Sequence, residues 1–186
     1  MRFKKKYKIM ITYIALLRGI NVGGHKKVPM VELRELLTNS GLENVQTYIQ
    51  SGNVVFESLE GDTKDLESKI RKVILDCFGF DVFVLVRTRK QLKKIFDNCP
   101  FPEDKKVNSY FAMLTELPNK DLVKEAVEKT YENEEYVILN DGLYFYCGNG
   151  YGNAKFNLNF FERKLKVAAT SRNYKTMVKL LSLSDI

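Results

Sequence analysis

One histidine and three cysteines are all that the 186 residues hold for a soft metal or a disulfide framework. The odd cysteine count and the scarcity of histidine exclude a disulfide-stapled scaffold and a Cys/His zinc site. No apolar run approaches the roughly 18 residues that mark a membrane-spanning helix, so no membrane partner is expected. Low-complexity tracts are missing too. With 45% apolar and 28% charged residues the chain is too apolar to stay disordered. What is present is a globular composition, long enough for one domain or two half-sized ones, either of which buries roughly 70% of the unfolded surface.

Thirty basic against 23 acidic residues give a net charge of +7, which invites a nucleic-acid reading. Position changes that reading. Arg2, Lys4, Lys5, Lys6 and Lys8 put five positive charges into residues 1–9 without an acid. Residues 151–186 carry seven basic groups against Glu162 and Asp185, which leaves residues 10–150 with a net −3. The lysine-rich start before Ile9–Leu17 imitates a signal peptide, but Thr12 and Tyr13 interrupt it, Arg18 ends it and no small-residue cleavage site follows. A basic N-terminal tail over 1–9 ahead of a buried strand is expected, and Met10 is an alternative start. Unpaired cysteines fit a reducing cytoplasm.

Hydrophobic periodicity then divides the chain. A strand is expected over 11–17, a polar loop over 18–27, and a helix from Pro29 that stops before Gly41. Strands over 45–49 and 54–57 flank the turn Gln50-Ser51-Gly52-Asn53, and a helix over 62–78 puts Leu66, Ile70, Val73, Ile74 and Cys77 on one face. A strand over 81–87 completes a first βαββαβ unit, residues 10–88. Residues 89–107 read as a linker helix and a Pro-flanked turn. The pattern repeats over 108–186: strand 109–114, helix 120–130, strands 136–139 and 143–147, a helix over 153–165 opened by Gly148–Gly152, a short strand 167–170 and an added helix 173–183. The expected fold class is α+β: a duplicated ferredoxin-like plait, each subdomain an antiparallel sheet with helices packed on it. In this topology the 18–27 loop neighbours the 50–53 turn, and Gly148–Lys155 neighbours Ser171-Arg172-Asn173.

Ile14-Ala15-Leu16-Leu17-Arg18-Gly19-Ile20-Asn21-Val22-Gly23-Gly24 resembles the opening of DUF1697, a bacterial family of unknown function. Lys27-Val28-Pro29-Met30, Gln50-Ser51-Gly52-Asn53-Val54 and Ala169-Thr170-Ser171-Arg172-Asn173 continue the resemblance over nearly the whole chain from Met10. It implies two ferredoxin-like subdomains and no assigned activity or cofactor. Residues 1–9 depart from the usual family start.

The candidate chemistry lies in the loops. Gly19 and Gly24 have P-loop spacing, but His25 stands where lysine belongs and Lys27 where Ser or Thr would hold magnesium, so a Walker site is excluded. A weaker anion site remains, with Arg18, Lys26 and Lys27 adding charge to backbone N–H groups. Gly148-Asn149-Gly150-Tyr151-Gly152 fails the dinucleotide spacing and lacks the following acid. It is still a place for phosphate, with Asn153 as helix cap and Lys155 in reach. Arg172 between Ser171 and Asn173 reads as a fork for a carboxylate or phosphate, Asn173 alternatively as a plain cap.

His25 reads as solvated, Cys77 as core, and Cys99 and Cys147 lack an adjacent base. Glu134-Glu135 reads as a solvated turn. Tyr144 and Tyr146 share a strand face that either stacks bases or packs under helices, and the RNA-recognition signature is missing.

The leading expectation is a small anionic or nucleotide-like ligand held at polar loops near the lobe interface. Arg18 and Arg172 are its clamps, Gly23, Gly24 and Gly52 its backbone donors, and Asn21, Ser51 and Asn53 its orienting groups, with Lys26, Lys155 and Asn173 nearby. RNA or single-stranded DNA bound through the basic ends, and a protein-interaction module, are the alternatives. No catalytic set is visible.

Overall fold

The computed structural model describes residues 9–148 and 150–185. The basic tail expected over 1–9 lies outside the described residues apart from Ile9, and so does Asn149 of the glycine loop. The chain divides into two compact units: the first takes residues up to Lys90 together with Ser182–Ile186, the second Gln91–Leu181.

The first unit runs β1 (Ile11–Arg18), α1 (Met30–Asn39), β2 (Glu43–Tyr48), β3 (Asn53–Ser58), α2 (Thr63–Phe78) and β4 (Phe83–Thr88), with strand order β2-β3-β1-β4, all antiparallel. β1 is central and buried on both faces over Tyr13–Leu17, as expected of a strand without polar alternation. Tyr13, Ala15 and Leu17 meet Leu33 and Leu37 of α1 and Leu66, Ile70 and Ile74 of α2 in one core. Asp62 caps α2 by accepting from Lys64 N at 2.7 Å, and Gly79, at φ 75°, closes its other end by donating to Leu75 O.

The second unit begins within α3 (Arg89–Asp97) and continues with α4 (Glu103–Lys106), β5 (Ser109–Leu114), α5 (Lys120–Ala126), β6 (Glu134–Leu139), β7 (Gly142–Cys147), α6 (Leu158–Leu165), β8 (Ala169–Asn173) and α7 (Tyr174–Leu183). Its sheet order, β6-β7-β5-β8, repeats that of the first. One face packs on α5 and α6 through an aromatic stack: the Phe156 ring lies 4.0 Å from Phe145 and 4.9 Å from Phe161. On the other face Phe96 of α3 lies 5.4 Å from Phe111, and Tyr144 donates from its hydroxyl to Ile95 O at 2.9 Å.

Several expectations are corrected. The helix expected within residues 89–107 is α3, the short helix α4 follows the Pro-flanked turn, and from Gln91 these residues belong to the second unit. The helix expected from Asn153 starts at Leu158, capped by Asn157, after a short 3-10 turn at Tyr151–Asn153. Burying the Phe156 side chain is worth about 1.5–3 kcal/mol. Stacking adds about 1 kcal/mol. Both exceed the near-zero gain from extending a helix by a few residues, so Ala154–Phe156 leave the helix and drive the ring inward. The strand expected over 167–170 is Ala169–Asn173, since Ser171, Arg172 and Asn173 pair with Ala112, Phe111 and Tyr110. The helix expected over 120–130 ends at Ala126. Glu134 and Glu135 open β6 instead of lying in a turn. Cys77 is exposed, because Phe78 takes the core position at the end of α2.

The strand expected from Asp81 begins at Phe83. Arg71 Nε and Nη2 engage both carboxylate oxygens of Asp81, and this fork holds the Asp81 pKa below the usual carboxylate range. A carboxylate depressed in the folded state adds stability above its unfolded pKa and loses it as pH falls through the folded value. In urea titrations, Arg71→Ala is expected to be less stable than the parent at pH 6, with the difference vanishing at acid pH once Asp81 is protonated. A difference that persists there contradicts the ion-pair account.

Candidate functional site

Two loop clusters form. In the first unit the 18–27 loop is tied to the 50–53 turn. Asn21, at φ 54°, donates from Nδ2 to Val28 O (3.0 Å) and Gln50 O (2.9 Å), and its Oδ1 accepts from Val28 N (2.8 Å). Leu17 N donates to Gly52 O at 2.8 Å. Gly52 has φ +77°, and a Cβ there would stand 2.6 Å from Leu17 Cβ and 3.0 Å from Ile20 Cδ1. Asn53 is fully buried and donates to Tyr48 O and to Ser51 Oγ, which fixes the turn. These four residues are spent on the loop's own geometry.

What remains exposed is a small hairpin. Gly23 and Gly24, at φ 60° and 77°, form its tip between Val22 and His25, which pair across it. Lys26 turns back, donating from Nζ to Asp81 O at 2.6 Å over the Phe80 ring. Arg18 ends β1 opposite Phe83, half-buried, on the sheet face away from α1 and α2.

In the second unit, the start of β5 and the ends of β7 and β8 meet at one end of the sheet, with Ser109 opposite Tyr146 and Tyr110 opposite Asn173. A cleft of about 480 Å³ opens there. Tyr110 and Tyr146 line it with Gly148 and Gly150, from opposite faces of the sheet: the Tyr110 ring stacks on Phe145 at 5.2 Å, and Tyr146 lies on the face of Ser109, near Phe101. Asn108, Asn173 and Lys175 supply polar groups. Asn173 Oδ1 accepts from Thr176 N at 2.9 Å, which makes it a helix cap for α7. Asn173 lines the cleft beside Lys175 of the first turn of α7.

The clustering of Gly148 with Asn173 follows from the topology, but Lys155 lies elsewhere. It belongs to a shallow depression with Lys129 and Arg163, its Nζ 3.9 Å from Glu132, while its backbone N donates to Glu134 Oε1. Arg172 does not line the cleft. It sits within β8, donating from Nη1 to Thr170 Oγ1 (3.0 Å) and Ser171 O (2.9 Å). Part of the residue reaches the surface, yet the guanidinium itself is enclosed, and burial pushes its pKa down to about 10, so it is protonated at neutral pH. Tyr110, Tyr146 and Lys175 were not singled out together by sequence. The nearest signal is Lys175 two residues after the capping asparagine.

Cys147 also borders the cleft, 6% exposed, and burial with Glu134 behind it raises its thiol pKa to about 11. It is a protonated wall at neutral pH, not a thiolate nucleophile. Among the described residues no group of three His, Cys, Asp or Glu is placed to hold a metal ion, and no helix is long and apolar enough to cross a membrane.

A family described as protein of unknown function, DUF1697, matches residues 10–144. The chain belongs to the DUF1697 family. This DUF1697 chain is also similar to the conserved bacterial protein SP0830 from Streptococcus pneumoniae, at 26% identity and a TM-score of 0.71, with 95% of this chain and 100% of that chain covered. No curated protein matches it. The family match covers all of the first loop cluster and the cleft's β5 side, and ends before Tyr146 and Lys175.

Two outcomes are expected from these contacts. Gly52→Ala destabilises the protein by about 2–4 kcal/mol in urea unfolding, from the left-handed backbone and the clash with Leu17. A change below about 0.5 kcal/mol rejects the packing account. Iodoacetamide at pH 8 alkylates exposed Cys77 and spares Cys147, whose thiolate fraction is about a hundredfold below that of an ordinary thiol. Mass mapping that finds Cys147 modified first contradicts its burial.

Proposed function

We propose that this DUF1697 protein binds a small anionic, nucleotide-like ligand, and that the second-unit cleft is its site. The carrying observation is the meeting of Tyr146, Gly148, Gly150, Asn173 and the Lys175 end of α7 around a cleft of about 480 Å³. That volume lies within the roughly 300–1,000 Å³ of small-ligand sites. Tyr146 offers flat apolar surface for a ring. Gly148 and Gly150 let a ligand approach the main chain closely. Lys175 and the first-turn N–H groups of α7 favour negative charge.

The first-unit loop has a smaller part in this reading. Asn21, Ser51, Gly52 and Asn53 hold the loop, and the tip at Gly23, Gly24 and Lys26 is a secondary contact surface. The two units, each βαββαβ with one strand order, are read as ferredoxin-like plaits related by duplication, and the free thiols as fitting a reducing cytoplasm.

The test is a thermal-shift and titration-calorimetry series with AMP, ribose 5-phosphate, inorganic phosphate and adenosine, on the parent and on Lys175→Ala. AMP is expected to raise Tm, and Lys175→Ala to weaken it about tenfold while adenosine is unaffected. Silence across the series, or equal AMP affinity in the variant, overturns the proposal. Binding of a single-stranded oligonucleotide that falls steeply with salt and ignores Lys175 would transfer the reading to nucleic acid.

A further inference from the structure

The two sheets present four edges, and three of them are closed by a visible device. On β4, Val86 N donates to Glu67 Oε1 at 3.0 Å. On β8, Ala169 N donates to Glu162 Oε1 at 2.8 Å. On β2, the register shifts between Glu43 and Gln46, with Asn44 at φ 49°. Capping and bulging both spoil an edge for a further strand.

β6 is different. All six residues pair with β7 in unbroken register, Glu134 opposite Cys147 through Leu139 opposite Gly142. The two-residue turn Asn140–Asp141 makes Leu139 and Gly142 a hydrogen-bonded pair. Counting back in twos, Val137 and Glu135 exchange their bonds with β7, and Gly148 N donating to Asn133 O continues the series. The N–H and C=O groups of Glu134, Tyr136 and Ile138 therefore point away from the sheet. Among the described residues none bonds the outward backbone of Tyr136 or Ile138. No proline or lysine interrupts the strand, and Leu139 at its end is 41% exposed.

We propose that β6 is a dimerisation edge, taken by β6 of a second copy of this chain in antiparallel register. Charge selects the occupant and the register. A strand centred on its own Tyr136 sets Glu134 opposite Ile138 and Glu135 opposite Val137, so no acid faces an acid. Sliding the pair toward the N-terminal end brings Glu135 opposite Glu135, which like-charge repulsion disfavours. The Tyr136 register also joins the outward groups of Glu134, Tyr136 and Ile138 in about six backbone hydrogen bonds. One strand pair buries far less than the roughly 1,600 Å² of a stable complex, so the dimer is weak and concentration-dependent.

Sedimentation equilibrium of the full chain from micromolar to millimolar concentration is the test. The mass is expected to climb from 21.6 kDa toward twice that value. Val137 is half-buried on the strand and tolerates a polar side chain without loss of the core, which a thermal melt verifies. Val137→Glu places like charges opposite Glu135 of the second copy and is expected to weaken association at least tenfold. Val137→Lys places opposite charges there and is expected to strengthen it several-fold. A monomer at every concentration overturns the proposal and leaves the edge to an extended segment of another protein. A dimer unchanged by Val137→Glu overturns it too. A dimer weakened by Val137→Lys rejects the Tyr136 register, because a pair centred on Val137 would set lysine against lysine.

Discussion

An antiparallel sheet of four strands ends in two rows of backbone groups with no strand beside them, and closing those rows is the constraint on which each unit depends. The crossover helices supply the closure on one side. Glu67 lies on α2 next to Leu66 and one turn from Ile70, so the carboxylate that satisfies Val86 N rides on the helix that fills the core. Glu162 repeats this on α6, between Phe161 and Leu165. A buried donor left unmade costs about 1–3 kcal/mol, comparable with a core side chain, so edge and core hold the helix in one register together.

The polar loops follow from the same demand for satisfied backbone. A turn between β1 and α1 that bends back over the β2–β3 hairpin has N–H and C=O groups to satisfy, and Asn21 bonds two of them, at Val28, together with Gln50 O of the hairpin. Gly52 lets the hairpin come within contact of Leu17. The residues that looked most like ligand-orienting groups are therefore the ones the fold has already engaged. Groups free to meet a ligand lie where elements end without a partner element, which is why the cleft forms at the start of β5 and the ends of β7 and β8.

Most of the element order, the α+β class, the first loop cluster and the Gly148–Asn173 part of the second were legible in sequence because the buried strands Ile14–Leu17 and Phe111–Leu114 are apolar without interruption and glycines mark the turns. The errors share one cause, tertiary contacts overriding local pattern. Asn153–Phe156 carry nothing that forbids a helix, and only the position of Phe156 between Phe145 and Phe161 makes them extended. Ser171–Asn173 look like a loop by polarity, yet as an edge strand they need pairing on one side only. Cys77 fits the helical period, but the turn that should bury it is the last of α2, where Phe78 fills the space. Pocket lining was the least legible, since Tyr110 at the start of β5, Tyr146 near the end of β7 and Lys175 in the first turn of α7 meet only through the β5–β7 and β5–β8 registers.

Arg172 illustrates how topology reassigns a suggestive residue. In the first unit Arg87 holds the same place: next to last in the last strand, opposite Ile14 of the central strand, as Arg172 is opposite Phe111. Each guanidinium donates from Nη1 to the carbonyl of the preceding residue at 2.9 Å, Val86 in one case and Ser171 in the other. Arg87 is 6% exposed and lies 3.8 Å from Glu67, the carboxylate that closes the β4 edge. An arginine present at one position in both units, anchored to its own strand in the same way, answers a need of the sheet edge. Lys175 follows the same rule, since Lys90 holds the second position of α3 as Lys175 does of α7, so a ligand specific to the second unit's cleft has to be recognised by what differs there, the glycine loop.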